Sequence, residues 1–147
     1  MKVSDPLLIR RRPGVGLHAL LLLLCLPAAS FAQGKGQVVE VRTVSPKLQE
    51  AVPGGILSVS FLVTNRTDGE EEFIESLQLP EGWQAIIPPG SFRLRASEAT
   101  TRLVAFQVPR GEPAGRREVA YRVRSQRDYA IQDVDTVTVV VLPVTKL

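Results

Sequence analysis

One histidine and one cysteine are all that this chain of 147 residues carries, and both, His18 and Cys25, fall within its first 32 positions. Residues 33–147 therefore hold no imidazole and no thiolate. Without them a Ser-His-Asp or Cys-His nucleophile system cannot be assembled. The usual ligands of zinc, haem and iron–sulfur clusters are missing too, and so is any disulfide. Catalysis by carboxylates alone needs two of them held across a cleft with separated pKa values, and no spacing here suggests it. The expectation is no catalytic residue, no metal and no cofactor. Aromatic residues are also scarce, at 5% of the chain, with one tryptophan and two tyrosines. No apolar run approaches the roughly 20 residues a helix needs to cross a bilayer.

The segment that holds both reactive side chains reads as an export signal. Arg10, Arg11 and Arg12 form a cationic start, LHALLLLLCL from Leu17 to Leu26 is the apolar stretch, and Pro27 ends it. Ser30-Phe31-Ala32 puts small residues where signal peptidase requires them, which predicts cleavage after Ala32. Leu24 is too bulky, directly before Cys25, for lipoprotein processing. The expected organisation is a signal peptide over 1–32 and a single domain over 33–147, periplasmic or secreted, with no stable membrane span after signal removal. The net charge of +3 belongs to the signal as well. Of 18 basic and 15 acidic residues it takes Lys2, the three arginines and Asp5, leaving 14 of each. A neutral mature chain has no bulk cationic character for nucleic acid.

What is abundant beyond Val38 is alternation with a period of two among β-branched residues. VVEVRTV (38–44) reads as a strand ended by Ser45-Pro46. After the Pro53-Gly54-Gly55 turn, ILSVSFLVTN places Leu57, Val59, Phe61 and Val63 on one face. FIESLQL (73–79), WQAII (83–87) and SFRLR (91–95) follow, punctuated by Pro80-Glu81-Gly82 and Pro88-Pro89-Gly90. TRLVAFQV aligns Val104, Phe106 and Val108, and REVAYRVRS aligns Val119, Tyr121 and Val123. The last run, VDTVTVVVLPV, is apolar on both faces, so its inward side is open. Seven to eight short strands without a crossover helix predict an all-β, immunoglobulin-like β-sandwich. Tyr121, two residues before Val123, sits where the tyrosine corner of such folds places a Tyr.

The order of PGG (53–55), a strand ending Thr64-Asn65, LPEGW (79–83) and VPRGEPAGRREVAYRV (108–123) resembles the NPCBM-associated domain of bacterial alpha-galactosidases and other large exported proteins. The resemblance covers roughly residues 47–126. It implies an immunoglobulin-like sandwich acting as a non-catalytic accessory module in a bacterial envelope. The chain departs from the family at Ala96-Ser97-Glu98, where a Pro-Gly-like turn is usual.

Few residues invite a chemical role. Trp83 is either a stacking platform for sugar or the plug of the core, and Tyr129 in RDYAIQD is the only ring that could pair with it outside. Arg93 and Arg95 on one strand and Arg122 and Arg124 on another point away from the predicted core. If those strands were neighbours they would form a basic patch for anionic polysaccharide or lipid phosphate. Asp68 with Glu70, Glu71 and Glu72 clusters hard oxygen ligands, but not at EF-hand spacing, and reads as a solvated turn. Asp133 and Asp135 read as an outward-facing edge of the last strand. Asn65-Arg66-Thr67 has the form of a glycosylation sequon. The expected function is a binding, spacing or assembly module whose partner is another envelope or exported protein, engaged by strand addition at a sheet edge. The alternative is polysaccharide binding through Trp83, Tyr129 and the arginine face.

Overall fold

Residues 38–144 are described by the computed structural model; the expected signal peptide and cleavage site lie outside the described residues. The two-residue alternation becomes nine strands: β1 (Val39–Thr43), β2 (Leu48–Ala51), β3 (Ile56–Asn65), β4 (Glu71–Gln78), β5 (Gln84–Ala85), β6 (Ser91–Leu94), β7 (Ala99–Gln107), β8 (Gly115–Ser125) and β9 (Gln132–Val141). They form two sheets, ordered β1-β3-β7-β5 and β2-β9-β8-β4-β6. Every pairing is antiparallel except that of β2 with β9. The architecture is the expected β-sandwich.

The additional strand is β2, which carries no alternation to read. Leu48 is exposed, and the strand exists because the chain leaves the first sheet after β1, turns at Pro46 and joins the end of β9 from Thr138 to Val141. Between β4 and β7 the chain changes sheet at each step, since β5 pairs with β7 and β6 pairs with β4.

Two turns fix the loops. The Gly55 N–H donates to the Val52 carbonyl at 2.9 Å and the Trp83 N–H to the Pro80 carbonyl at 3.1 Å. In each, the third residue is a left-handed glycine, Gly54 at φ 80° and Gly82 at φ 79°, as a type II turn requires. Ser97, in the segment that departs from the resembled family, also takes a positive φ, 61°.

Between the sheets lie Val59, Phe61 and Val63 of β3, Val104 and Phe106 of β7, and Val119, Tyr121 and Val123 of β8, all buried. The inward face of the last strand is Val137, Val139 and Val141. Tyr121 stacks on Phe61 across the sandwich, with ring centroids 4.6 Å apart.

That phase of β9 corrects the reading of its two aspartates. Asp133 and Asp135 share the valines' face and reach across to β1 instead of pointing to solvent. Asp133 Oδ2 accepts the Val41 N–H at 2.7 Å; Asp135 Oδ2 accepts the Thr43 N–H at 2.6 Å and the Thr43 hydroxyl at 2.7 Å. Lys47 completes the group with an ion pair to Asp135. Burial alone would raise the Asp135 pKa, but Lys47, Thr43 and the Thr136 N–H outweigh it and hold the group at about 2. Its ionised form therefore stabilises the fold at pH values above the ordinary carboxylate range, and the contribution fades as pH falls from about 4 toward 2. After allowance for solvent screening it is of order 1 kcal/mol. Thermal melts of Asp135→Asn should show a lower melting temperature at pH 7 and a shallower loss between pH 4 and 2. A melting curve that keeps the wild-type slope in that window would show that Asp135 is not the titrating group.

Candidate interaction surface

Within the core sits a carboxylate. Phe73, Glu75 and Leu77 share the inward phase of β4, and Glu75 is buried at 8% exposure. Arg102 occupies the same inward phase on β7 of the opposite sheet, between Thr100 and Val104. The pair meets as a fork: Arg102 Nε donates to Glu75 Oε2 at 3.1 Å and Nη2 to Oε1 at 2.8 Å. The Tyr121 hydroxyl donates to Oε2 at 2.5 Å and the Gly90 N–H to Oε1 at 3.0 Å. Burial pushes the Glu75 pKa up, but the hydrogen bonds from Arg102, Tyr121 and Gly90 win and hold it below the usual range. Burial, with Glu75 alongside, pushes the Tyr121 phenol up, so it stays a donor. Tyr121 thus lacks the expected corner geometry: its hydroxyl goes to a side chain on the neighbouring strand, not back to the upstream backbone. The signal for this node was present in the sequence as opposite charges at the inward phase of two strands, and alternation alone does not say that they meet.

Trp83 is a core residue, not a platform. It is 6% exposed and packs on Phe106 at 5.6 Å between centroids. Its indole N–H donates to Glu112 Oε2 at 2.9 Å, and Arg117 Nε holds Oε1 of the same carboxylate at 2.6 Å. The LPEGW turn and the PRGEPAG loop are tied together by this chain of bonds. No ring face is left for a sugar.

The four arginines do not form one patch. Strand β4 separates β6 from β8, and Arg93 lies opposite Glu72, 3.3 Å from its carboxylate and 3.9 Å from that of Glu70. Arg95 is past the end of β6, its N–H donating to Glu98 Oε2 at 2.6 Å. Arg122 lies opposite Ser76 and Arg124 opposite Ile74. The Arg124 guanidinium lies 4.3 Å over the ring of Tyr129, which is 65% exposed. Of the two rings read as a pair, Tyr129 alone is outside.

Other candidates are equally occupied. Glu71 and Glu72 belong to β4 and not to a turn; Glu71 accepts from the Ser125 hydroxyl at 2.8 Å. Asn65 is fully buried, and its amide nitrogen donates to the carbonyls of Gly69, Leu94 and Arg95 at 2.8, 3.1 and 3.0 Å. In the folded chain the sequon nitrogen is out of reach of any transferase.

The exposed surface also carries apolar side chains. On the outer face of the first sheet, Leu103 and Ile56 are exposed at 52% and 66%, with Ile86 and Ile87 just beyond β5 at 46% and 44%.

These features define an immunoglobulin-like β-sandwich. No family model matches the sequence. No curated protein matches it either. Solved structures do match in fold. Native alpha-2-macroglobulin from Escherichia coli, from domain MG7 to the C-terminus, aligns with a TM-score of 0.57 at 15% identity, over 74% of this chain and 17% of that one. A family 123 glycoside hydrolase from Clostridium perfringens aligns at 0.54 and 9% identity, over 73% of this chain and 28% of that one. A FixG-related protein from Vibrio parahaemolyticus aligns at 0.51 and 7% identity, over 70% of this chain and 94% of that one. The chain thus spans about a sixth of the macroglobulin chain it matches.

Two measurements check the internal bonds. Trp83 emission should be blue-shifted, resistant to iodide and unchanged by added polysaccharide; quenching as efficient as that of free tryptophan would put the ring outside. Tyr121→Phe should lose about 1.5 kcal/mol, or roughly 5 to 10 °C in a thermal melt. Glu75→Ala, which leaves Arg102 half-buried without its counter-ion, should lose about 3 kcal/mol. Melts within a degree of wild type would mean that the node is solvated.

Proposed function

We propose that this chain is an exported, non-catalytic binding, spacing or assembly module of a bacterial cell envelope, acting through protein–protein recognition. The observation that carries the reading is the division of its side chains. Its buried or half-buried carboxylates are engaged internally: Glu75 with Arg102, Glu112 with Trp83 and Arg117, and Asp133 and Asp135 with β1. The outer face of the first sheet, by contrast, presents Leu103 and Ile56 to solvent, with Ile86 and Ile87 exposed just beyond β5. Aliphatic groups on a sheet face are suited to a protein surface; they offer no hydrogen bonds to a polysaccharide. The signal-like N-terminus and the resemblance to the NPCBM-associated domain support the exported, accessory part of the reading. Catalysis has no support in the arrangement of these carboxylates, since each is held by cations or backbone donors.

The test is made in a bacterium that carries the gene. The mature protein should be recovered from the periplasm or medium with Gln33 as its N-terminus, and a tagged copy should retain a defined envelope or exported protein after cross-linking. Retention on polysaccharide with no protein recovered would replace this reading with the carbohydrate-binding one.

A further inference from the structure

Five strand edges line the sandwich, and among the described residues four are closed. Strand β1 has its outward N–H groups at Val41 and Thr43 bonded to Asp133 and Asp135. Strands β2 and β6 are four residues each, the first bracketed by Pro46 and Pro53 and the second following Pro89. Strand β5 is two residues long and runs into Pro88-Pro89. Short edges, prolines and inward-turned charges are the devices by which sheets avoid further pairing.

Strand β7 has none of them over its first half. It is nine residues long, and β5 covers only Phe106 and Gln107, with Ile86 and Ile87 donating to the Ala105 carbonyl at 2.7 and 3.4 Å. That bond fixes the direction of the free groups. Backbone donors and acceptors alternate sides along an antiparallel strand, so those of Leu103 and Thr101 point the same way as those of Ala105, out of the sheet. The even residues point to β3, as the Val108 N–H does when it donates to the Gly55 carbonyl at 2.9 Å. Among the described residues no hydrogen bond reaches Leu103 or Thr101 from that side.

We propose that the β7 edge from Ala99 to Leu103 is a strand-addition site for an extended segment of another exported polypeptide. This rests on the reading of the chain as a protein-binding module and names the edge it uses. The outer face of β7 is Ala99, Thr101, Leu103, Ala105 and Gln107, without a charge, while Arg102 is turned inward to Glu75. The matching segment is therefore uncharged and β-branched, with an aliphatic side chain beside Leu103. On its inner side it covers the seam between β7 and β6, where the Arg102 guanidinium lies 4.7 Å over the half-buried Phe92 ring.

The experiment places a photoreactive benzophenone side chain at Thr101, at Leu103 and, as control, at Arg42 on β1, in the full-length protein in its producing cell. Cross-links from 101 and 103 but not from 42, mapping to an uncharged extended segment of one other exported protein, are the expected result. Leu103→Pro removes an outward N–H that bonds nothing in the sandwich, and should abolish capture with a melting temperature near wild type. Leu103→Lys, which blocks the edge by charge, should do the same and serves if the proline variant unfolds. Capture that persists in both variants overturns the edge while leaving the module reading intact. Failure of the wild type to capture any protein takes down the module reading itself. Cross-links to a second copy of this chain overturn the assigned occupant.

Discussion

A carboxylate inside a sandwich of valines and phenylalanines sets the terms for much of what surrounds it. Removing an ionised group from water costs several kcal/mol unless nearby donors replace the lost solvent. Glu75 finds four such bonds, from Arg102, Tyr121 and Gly90, and the donors come from β7, from β8 and from the crossing segment after β5. Each must be in register for the carboxylate to be tolerated. A one-residue slip of β7 would turn Arg102 to solvent and bring Leu103 against the charge. The Glu75 N–H also donates to the Gly90 carbonyl at 2.9 Å, so the same residue pins the Pro-Pro-Gly crossing by backbone and side chain together. The node adds little net stability over an apolar pair of equal volume, by the general balance of buried ions. What it does is make one pairing of the two sheets much better than its neighbours.

The same economy of carboxylates recurs at the perimeter. Asp133 and Asp135 occupy core-facing positions of β9 that valines fill further along the strand, and they close the free edge of β1. Glu112 joins the LPEGW turn to the loop before β8 in a stretch, residues 33–147, that holds no cysteine for a disulfide. Each of these acids connects elements distant in sequence: 92 residues from Val41 to Asp133, 29 from Trp83 to Glu112 and 27 from Glu75 to Arg102. A small core with few large side chains is held in a single arrangement by such connections.

How much of this was legible follows from what each signal measures. Alternation gave the strands and the inward faces of β3, β7 and β8, because a period of two reports which side of a strand is buried. Gly54 and Gly82 gave their turns, because a left-handed residue is a local requirement. Strand β2 was silent: Leu48 is exposed and its partner lies about ninety residues away. The arginines could be read as outward, but whether their strands are neighbours could not, since facing is local and strand order is not. Glu75 and Arg102 stand at the inward phases of alternating strands, but only the pairing of sheets reveals that they meet. Asp133 and Asp135 read as outward because the last run is apolar on both faces, which leaves its phase open. Trp83 lay between the two cases; its turn was readable, while its hydrogen bond to Glu112 required the fold.

Closing one side of a sandwich and leaving another open is an asymmetry that demands a physical reason. An exposed strand edge invites aggregation. The second sheet nonetheless commits two aspartates of β9 to the edge of β1 and nothing to the first half of β7. Thr101 and Leu103 add no charge or proline there, and the nearest cation, Arg102, is drawn inward by Glu75. The carboxylate that fixes the register of β7 is thus the same group that removes the one charge able to guard its edge. Core specificity and an available binding edge are, in this molecule, two results of a single ion pair.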